Sequence, residues 1–251
     1  MYFEIEGSSV RLGGTMHVIP KQRRLAAWVS DAISWAHLIY LEHDKQESDW
    51  GLFRQAMSLP LAQRLPRSWP RIQREYPERV TDLVMRRPVA VAREVMDPVP
   101  FDPGVERLAL ARSQETGPPG PRIKYLETAA ESYAPTDRVS DTVWDDAVSW
   151  SIDNRGSFGK VLEMTHAAWF AGDFEEVDRL STLRTINRFP AVKGASITSR
   201  NCLWLPRIRA IVQSANEPTL ILVGAAHLGG ADGLLPQLTA CGLRLAMAAH
   251  Q

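Results

Sequence analysis

Apolar and polar positions alternate over Tyr2–Ile5 and again over Val10–Leu12, with EGSS between them. That period predicts a hairpin of two short strands turned at Gly7-Ser8-Ser9, with Gly13-Gly14 ending the second strand. The period then lengthens. After Pro20, the residues Leu25, Ala26, Val29, Ala32, Ile33 and Ala36 share one face of a 3.6-residue repeat and predict a helix over 21–37. The stretch HLIYLEHD at His37–Asp44 is apolar and rich in strand formers before it ends in charge. It reads as a buried parallel strand with a polar carboxyl end. Hairpin, helix and strand make an α/β opening.

From Trp50 to about Met96 the helical period is interrupted by Pro60, Pro66, Pro70, Pro77 and Pro88. This predicts a Pro-interrupted helical insert over about 50–99 rather than more sheet. DPVPFDPG and ETGPPGPR read as loops, with a helix over Val105–Ser113 between them and a second strand in RIKYLET at Arg122–Thr128. Helices follow over Asp141–Trp150, Leu162–Leu183 and Ser199–Gln213, the last with Pro206 weakening its apolar stripe. TLILVG at Thr219–Gly224 is the clearest strand. GADGLLPQL then forms a short helix and LRLAMA at Leu243–Ala248 a closing strand. No repeat is visible. The expected architecture is one α/β domain over residues 1–251: a central mixed sheet using strands from both chain ends, flanked by helices.

Composition narrows the partners. The chain has 251 residues, 45% of them apolar, and 29 basic residues balance 29 acidic ones. A zero formal charge lacks the basic excess of a nucleic-acid or anionic-membrane surface. Cys202 and Cys241 have no paired spacing, so neither a disulfide framework nor a zinc knuckle is expected, only two buried or half-buried thiols. The amino terminus lacks a basic start and the apolar stretch of a signal peptide. No run of about 18 apolar residues could span a bilayer. The chain as given is therefore expected to be soluble and cytoplasmic. The tryptophans mostly fall on apolar helical faces and read as core. Oligomeric state is open.

Two short segments carry candidate chemistry. GGTMHVIP at Gly13–Pro20 and LVGAAHLGG at Leu222–Gly230 each set a histidine three residues after a glycine, behind an apolar strand. In open α/β sheets ligands bind beyond the carboxyl ends of strands, and glycine there lets the backbone approach a ligand. His17 (after Gly14) and His227 (after Gly224) would both project into that crevice, and Glu42 ends a strand that could reach it. Two imidazoles and a carboxylate suit Zn, Mn, Co or Fe(II) with open positions for water and substrate. The plain alternative is two unrelated strand exits with satisfied histidines. Strand alternation sets Glu42 and Asp44 on one side and His43 on the other. Asp44 then becomes a candidate acceptor orienting an imidazole. His37, His166 and His250 are read as outside any site.

The order GGTMHVIP, LIYLEHD, YLET, GD, RNCLWLPRI and LILVGAAHLGGADGLLPQLTACGLRL resembles the TraB/GumN family. That family is similar to the Tiki membrane proteases and, more distantly, to erythromycin esterase and the haem-binding ChaN proteins. The resemblance covers nearly the whole chain and is loosest over about Trp50–Val99. It implies an erythromycin-esterase- or ChaN-like fold and a metal-dependent, peptidase-like hydrolase, with His17, Glu42 and His227 as metal-site residues. Glu127, Arg200 and Asn201 fall on recurring family positions. Glu127 is a general base, a ligand, or only a partner at a helix start. Arg200 either clamps substrate and steadies an oxyanion or buttresses Glu42 or Glu127. Asn201 reads as a helix-end hydrogen bonder beside the site. The implied cofactor is a divalent metal (Mn, Co or Zn), and the implied substrate is a peptide or small molecule. Many members are exported or tethered to a membrane, and this chain shows neither feature. The competing readings are a haem- or ligand-binding protein and a regulatory protein on the same fold.

Overall fold

The computed structural model describes residues 2–44, 59–96, 100–115 and 120–248. Its strands are β1 (Tyr2–Ile5), β2 (Val10–Thr15), β3 (Val18–Pro20), β4 (Leu38–Leu41), β5 (Phe101–Pro103), β6 (Arg122–Tyr125), β7 (Thr219–Gly224) and β8 (Leu245–Met247). Six of them form one mixed sheet in the order β6-β4-β7-β2-β1-β8. The first four in that order run parallel, while β1 is antiparallel to both β2 and β8. The sheet therefore closes with strands from both chain ends. β7 lies between β4 and β2 and is buried at all six positions, which is why its sequence is an apolar run without alternation. Burying each of Leu220, Ile221, Leu222 and Val223 stabilises the fold by about 1.5–3 kcal/mol.

The structure corrects several boundaries. Gly13 and Gly14 lie inside β2 rather than ending it, because close packing is needed there. A Cβ on Gly13 would come 2.9 Å from Leu222 Cδ2 on β7. The first helix spans only Ala27–Trp35, since a turn follows β3, with Gln22 at a φ of 64° and Arg23 N bonded to Pro20 O. Pairing of β3 with β5 turns part of the expected DPVPFDPG loop into strand, while its residues 97–99 fall outside the described ones. The helix expected over Leu162–Leu183 is two, Phe158–Ala171 and Phe174–Ser181. Gly172 breaks it at a φ of 77°, and the Asp173 side chain caps the second by accepting from Glu176 N. By contrast Pro206 does not end its helix, which runs over Ser199–Ser214. Cys202 is exposed on that helix and was not the half-buried thiol expected; Cys241 is half-buried.

Prolines shape the insert. Pro70 and Pro88 stand in the first turns of helices Trp69–Glu75 and Pro88–Glu94, where a missing N–H costs nothing. These short helices bury Leu61, Leu65, Trp69, Ile72 and Val91 against Trp144 and Val148 of helix Asp141–Asp153, in an apolar cluster separate from the sheet's core. Residues 50–58 of the expected insert lie outside the described ones. A cavity of about 760 Å³ is lined jointly by this helical layer and the carboxyl edge of the sheet. Among the described residues, no helix is long and apolar enough to cross a membrane.

Candidate functional site

The four parallel strands deliver the site in order. At their carboxyl ends β6 leads to Glu127, β4 to Glu42, β7 to Gly224 and His227, and β2 to His17. Because β2 and β7 are direct parallel neighbours, with Thr15 opposite Gly224, the two glycine–histidine turns leave the sheet side by side. Topology thus brings together residues from both ends of the chain at the edge where α/β sheets bind ligands.

Arg200 is the hub. It comes from the first turn of helix Ser199–Ser214, which follows a wide π-helical turn over Gly194–Thr198. Its Nη2 donates to Glu42 Oε2 at 2.6 Å and its Nε to Glu127 Oε1 at 2.8 Å, while Nη1 stands 3.4 Å from His227 Nε2. Trp204, one turn on, donates its indole N–H to Glu127 Oε2 at 3.0 Å and lies under the Arg200 guanidinium, 4.5 Å from the ring centroid. Both carboxylates are buried. Burial alone disfavours the Arg200 charge, but Glu42 and Glu127 outweigh it and its pKa rises above the ordinary arginine value. Both oxygens of Glu127 are engaged in holding Arg200 and Trp204. The cap of the following helix is made by Thr128 and Glu131, not by Glu127.

Each motif histidine is held from behind. Asn201 donates its Nδ2 to the carbonyls of His227 (3.2 Å) and Asp232 (2.8 Å), so its Oδ1 is the acceptor for His227 Nδ1–H at 2.7 Å. This network assigns the His227 tautomer and leaves a lone pair on Nε2. Burial drives the His227 pKa down to about 3; Glu42 opposes the shift, and Arg200 and His17 add to it. The ring is neutral at ordinary pH. On the other turn, His17 Nδ1 meets Glu106 Oε1 at 2.7 Å, and the same oxygen accepts from Thr15 Oγ1. Its Nε2 points toward Glu42 Oε1, 3.8 Å away, beyond hydrogen-bond reach.

The backbone explains how Glu106 arrives there. Gly104 N and Val105 N donate to the carbonyls of His17 and Met16, docking the start of helix Val105–Ser113 beneath the turn. A Cβ on Gly104 would fall 1.8 Å from Met16 O, so only glycine permits the approach. At the second motif, Glu42 Oε1 accepts from Gly224 N at 2.6 Å. A Cβ on Gly224 would sit 3.2 Å from Glu42 Oε1 and 3.3 Å from His17 Nε2, in the space those two donor atoms share.

His17, Glu42, His227, Glu127, Arg200 and Asn201 therefore lie in one connected cluster. Asp44 is not the acceptor at Nδ1 of either motif histidine; Glu106 and Asn201 fill that place. His43, which alternation put on the far side, is buried with its Nδ1 3.7 Å from Glu127 Oε1, because β4 ends at Leu41 and alternation stops there. His37 joins helix to strand as expected, His166 bonds Arg24 O, and His250 lies outside the described residues.

The donor set can be tested against a divalent ion. Two ligands held at about 2.0–2.2 Å from one ion stand about 3–4 Å apart. His17 Nε2 and Glu42 Oε1 meet that separation, and the Gly224 cradle leaves room between them. Two nitrogens and a carboxylate oxygen are suitable in kind. His227 Nε2 faces Arg200 instead, and among the described residues no three His, Cys, Asp or Glu side chains converge tightly enough to hold an ion. The match is one of chemistry and of one donor pair.

Fold and site together define an α/β protein whose parallel strands present paired imidazoles and carboxylates around a buried arginine. The chain belongs to the TraB/PrgY/gumN family, whose sequence pattern matches residues 3–246. No curated protein and no solved structure matches it.

Proposed function

We propose that the protein is a metal-dependent hydrolase of peptidase type, with His17, Glu42 and His227 holding a divalent ion (Mn, Co or Zn). The observation that carries this reading is the paired anchoring of the histidines. Each Nδ1 is tied to an acceptor, Glu106 or Asn201, so each ring turns Nε2 into the site, that of His17 towards Glu42 and that of His227 towards Arg200. Such outer hydrogen bonds are how proteins orient metal-ligating imidazoles. A bound divalent ion supplies a water of lowered pKa and a polarised carbonyl. The chain does the rest. Arg200, held by Glu127 and Glu42, lines the cavity and is positioned to steady charge on a carbonyl oxygen. Glu127 serves as its positioning residue. His43, a buried imidazole lining the cavity beside it, is the group that can take up a proton. The cavity volume suits a short peptide or a small-molecule substrate.

The test is cleavage of a mixture of short peptides by the full chain loaded with Mn or Co, read by mass spectrometry. Metal-dependent cleavage that a chelator abolishes and Glu42→Gln removes is the expected result. Metal binding without any cleavage would turn the reading to a binding or regulatory protein on this fold. Cleavage that persists in chelator would overturn the metal's part.

A further inference from the structure

The helical side of the cavity gathers arginines that the cluster around Arg200 does not use. Among the described residues, Arg79, Arg86, Arg93 and Arg184 line it together with the carboxylates of Asp82 and Glu94. Glu94 is used by Arg79, which bonds both its side chain and its backbone carbonyl. Asp82 is used by Arg86, which donates Nε to the carbonyl at 3.0 Å and Nη2 to Oδ1 at 2.5 Å. Arg86 is itself buried, and its Nη1 is buried with no hydrogen-bond partner among the described residues.

Among the described residues, no carboxylate pairs with Arg184. Its guanidinium lies over the Phe158 ring at 5.4 Å from the centroid. Partial loss of hydration, followed by the like charge of Arg93, pushes its pKa down to about 10. The residue is exposed to solvent, and it lines the cavity. Two guanidinium charges held beside one another repel, and an anion that joins them relieves the repulsion. Planar, fixed guanidinium donors are the groups that best receive a carboxylate or phosphate.

We infer that Arg184, with Arg93 near it and Arg86 lining the same cavity, forms an anion subsite that receives a carboxylate or phosphate group of the ligand occupying this cavity. The same cavity is lined by His17, Glu42 and Arg200, so one molecule can lie with its anionic end on the arginines and its reacting carbonyl at the sheet edge. That the ligand is a substrate rests on the hydrolase reading; the anion subsite does not. For a peptide, the simplest such group is the terminal carboxylate. The site would then favour short peptides ending in the cavity over internal segments of long chains.

The test is calorimetric titration of the full-length, metal-free protein with three probes: N-acetyl-triglycine, its carboxamide, and inorganic phosphate. The acid should bind at least tenfold more tightly than the amide, since one charge-assisted guanidinium contact is worth about ten- to a hundredfold. Arg184→Gln should erase that preference, and Arg184→Lys should restore part of it. Arg184→Gln removes a charge without a counter-ion, so the variant should fold with an unchanged or higher Tm, and added phosphate should raise the Tm of wild type only. Tighter binding of phosphate than of the acid would assign the group as phosphate, within the same subsite. Equal binding of acid and amide, absence of binding by all three probes, or an Arg184→Gln variant that keeps the preference would overturn the proposal. Failure of the hydrolase reading looks different: the acid probe binds, and no peptide is cut.

Discussion

His17 and His227 stand three residues beyond a glycine on neighbouring parallel strands, yet the fold treats them differently. The His17 side chain is 44% exposed at the cavity, with a carboxylate, Glu106, behind its Nδ1. His227 is buried, packed on Trp204 with ring centroids 4.5 Å apart, and has the neutral amide of Asn201 behind its Nδ1. A carboxylate behind an imidazole raises its basicity, whereas an amide sets the tautomer without adding charge. Near Glu42 and Glu127, a third buried carboxylate would leave Arg200 outnumbered further, and an amide avoids that cost. The glycines differ as well. A Cβ on Gly14 would run into Leu228 Cδ1 and Phe174 Cε1 at 2.7 Å, while one on Gly224 would enter the space between Glu42 and His17. One spacing serves packing at the first motif and the site at the second.

The comparison breaks most severely at Arg200. Arg200→Met leaves Glu42 and Glu127 buried without their cation, and should cost about 3–5 kcal/mol in urea unfolding. A loss below about 1 kcal/mol would mean that the two carboxylates do not depend on it. The glycines come next. Gly14→Ala should cost about 1–3 kcal/mol by overpacking and leave metal affinity intact. Gly224→Ala should do the reverse, weakening metal binding with the smaller change in stability. If both variants behave alike, the division between a packing glycine and a site glycine is wrong.

A subtler change separates the two imidazole anchors. Glu106→Gln keeps an acceptor at His17 but removes its charge, and should weaken metal binding about 10–100-fold with little change in fold. Asn201→Ala, which also frees the carbonyls of His227 and Asp232, should lower stability and affinity together.

The smallest effect lies outside the site. The segment carrying Glu127 and the helix carrying Arg200 are joined a second time by Arg207 and Glu131, at 2.7 Å near the surface. The Arg207 hydrogen bond, then that from Thr128 N, lowers the Glu131 pKa from 4.5 to about 2. A depressed carboxylate pKa stabilises the fold above the unfolded value, and that contribution is lost as pH falls from about 4.5 towards 2. For a partly exposed pair the loss is only about 0.2–1 kcal/mol. It should vanish from the pH–stability curve of Glu131→Gln while the buried Arg200 pair is untouched.

The sheet was legible because β7 and the hairpin carry period and apolarity that survive without tertiary context. Val105–Ser113 and Thr219–Gly224 fall where the pattern puts them. The failures have local causes. Gly13-Gly14 looked like a strand end because glycine usually punctuates, whereas here it admits Leu222 and Trp28 at close range. The two motif histidines and Glu42 could be named from their spacing and strand ends, and Arg200 only from the family resemblance. Glu106, Thr15, Trp204 and His43 could not, since each joins the cluster through a contact distant in sequence or past the end of a strand. Glu106 did leave one trace: it is an acid on the same helical face as Ala109, and both are buried.

The central claim is that both glycine–histidine turns serve one ion beside Glu42. Its most direct test is Co(II) titration of tag-free protein, followed by visible absorption, in wild type, His17→Ala and His227→Ala. The account predicts one equivalent bound in wild type, with the intense bands of a low-coordinate nitrogen–oxygen site, and loss of those bands in each variant. Absence of Co(II) binding in wild type, or an unchanged spectrum in either histidine variant, would contradict it.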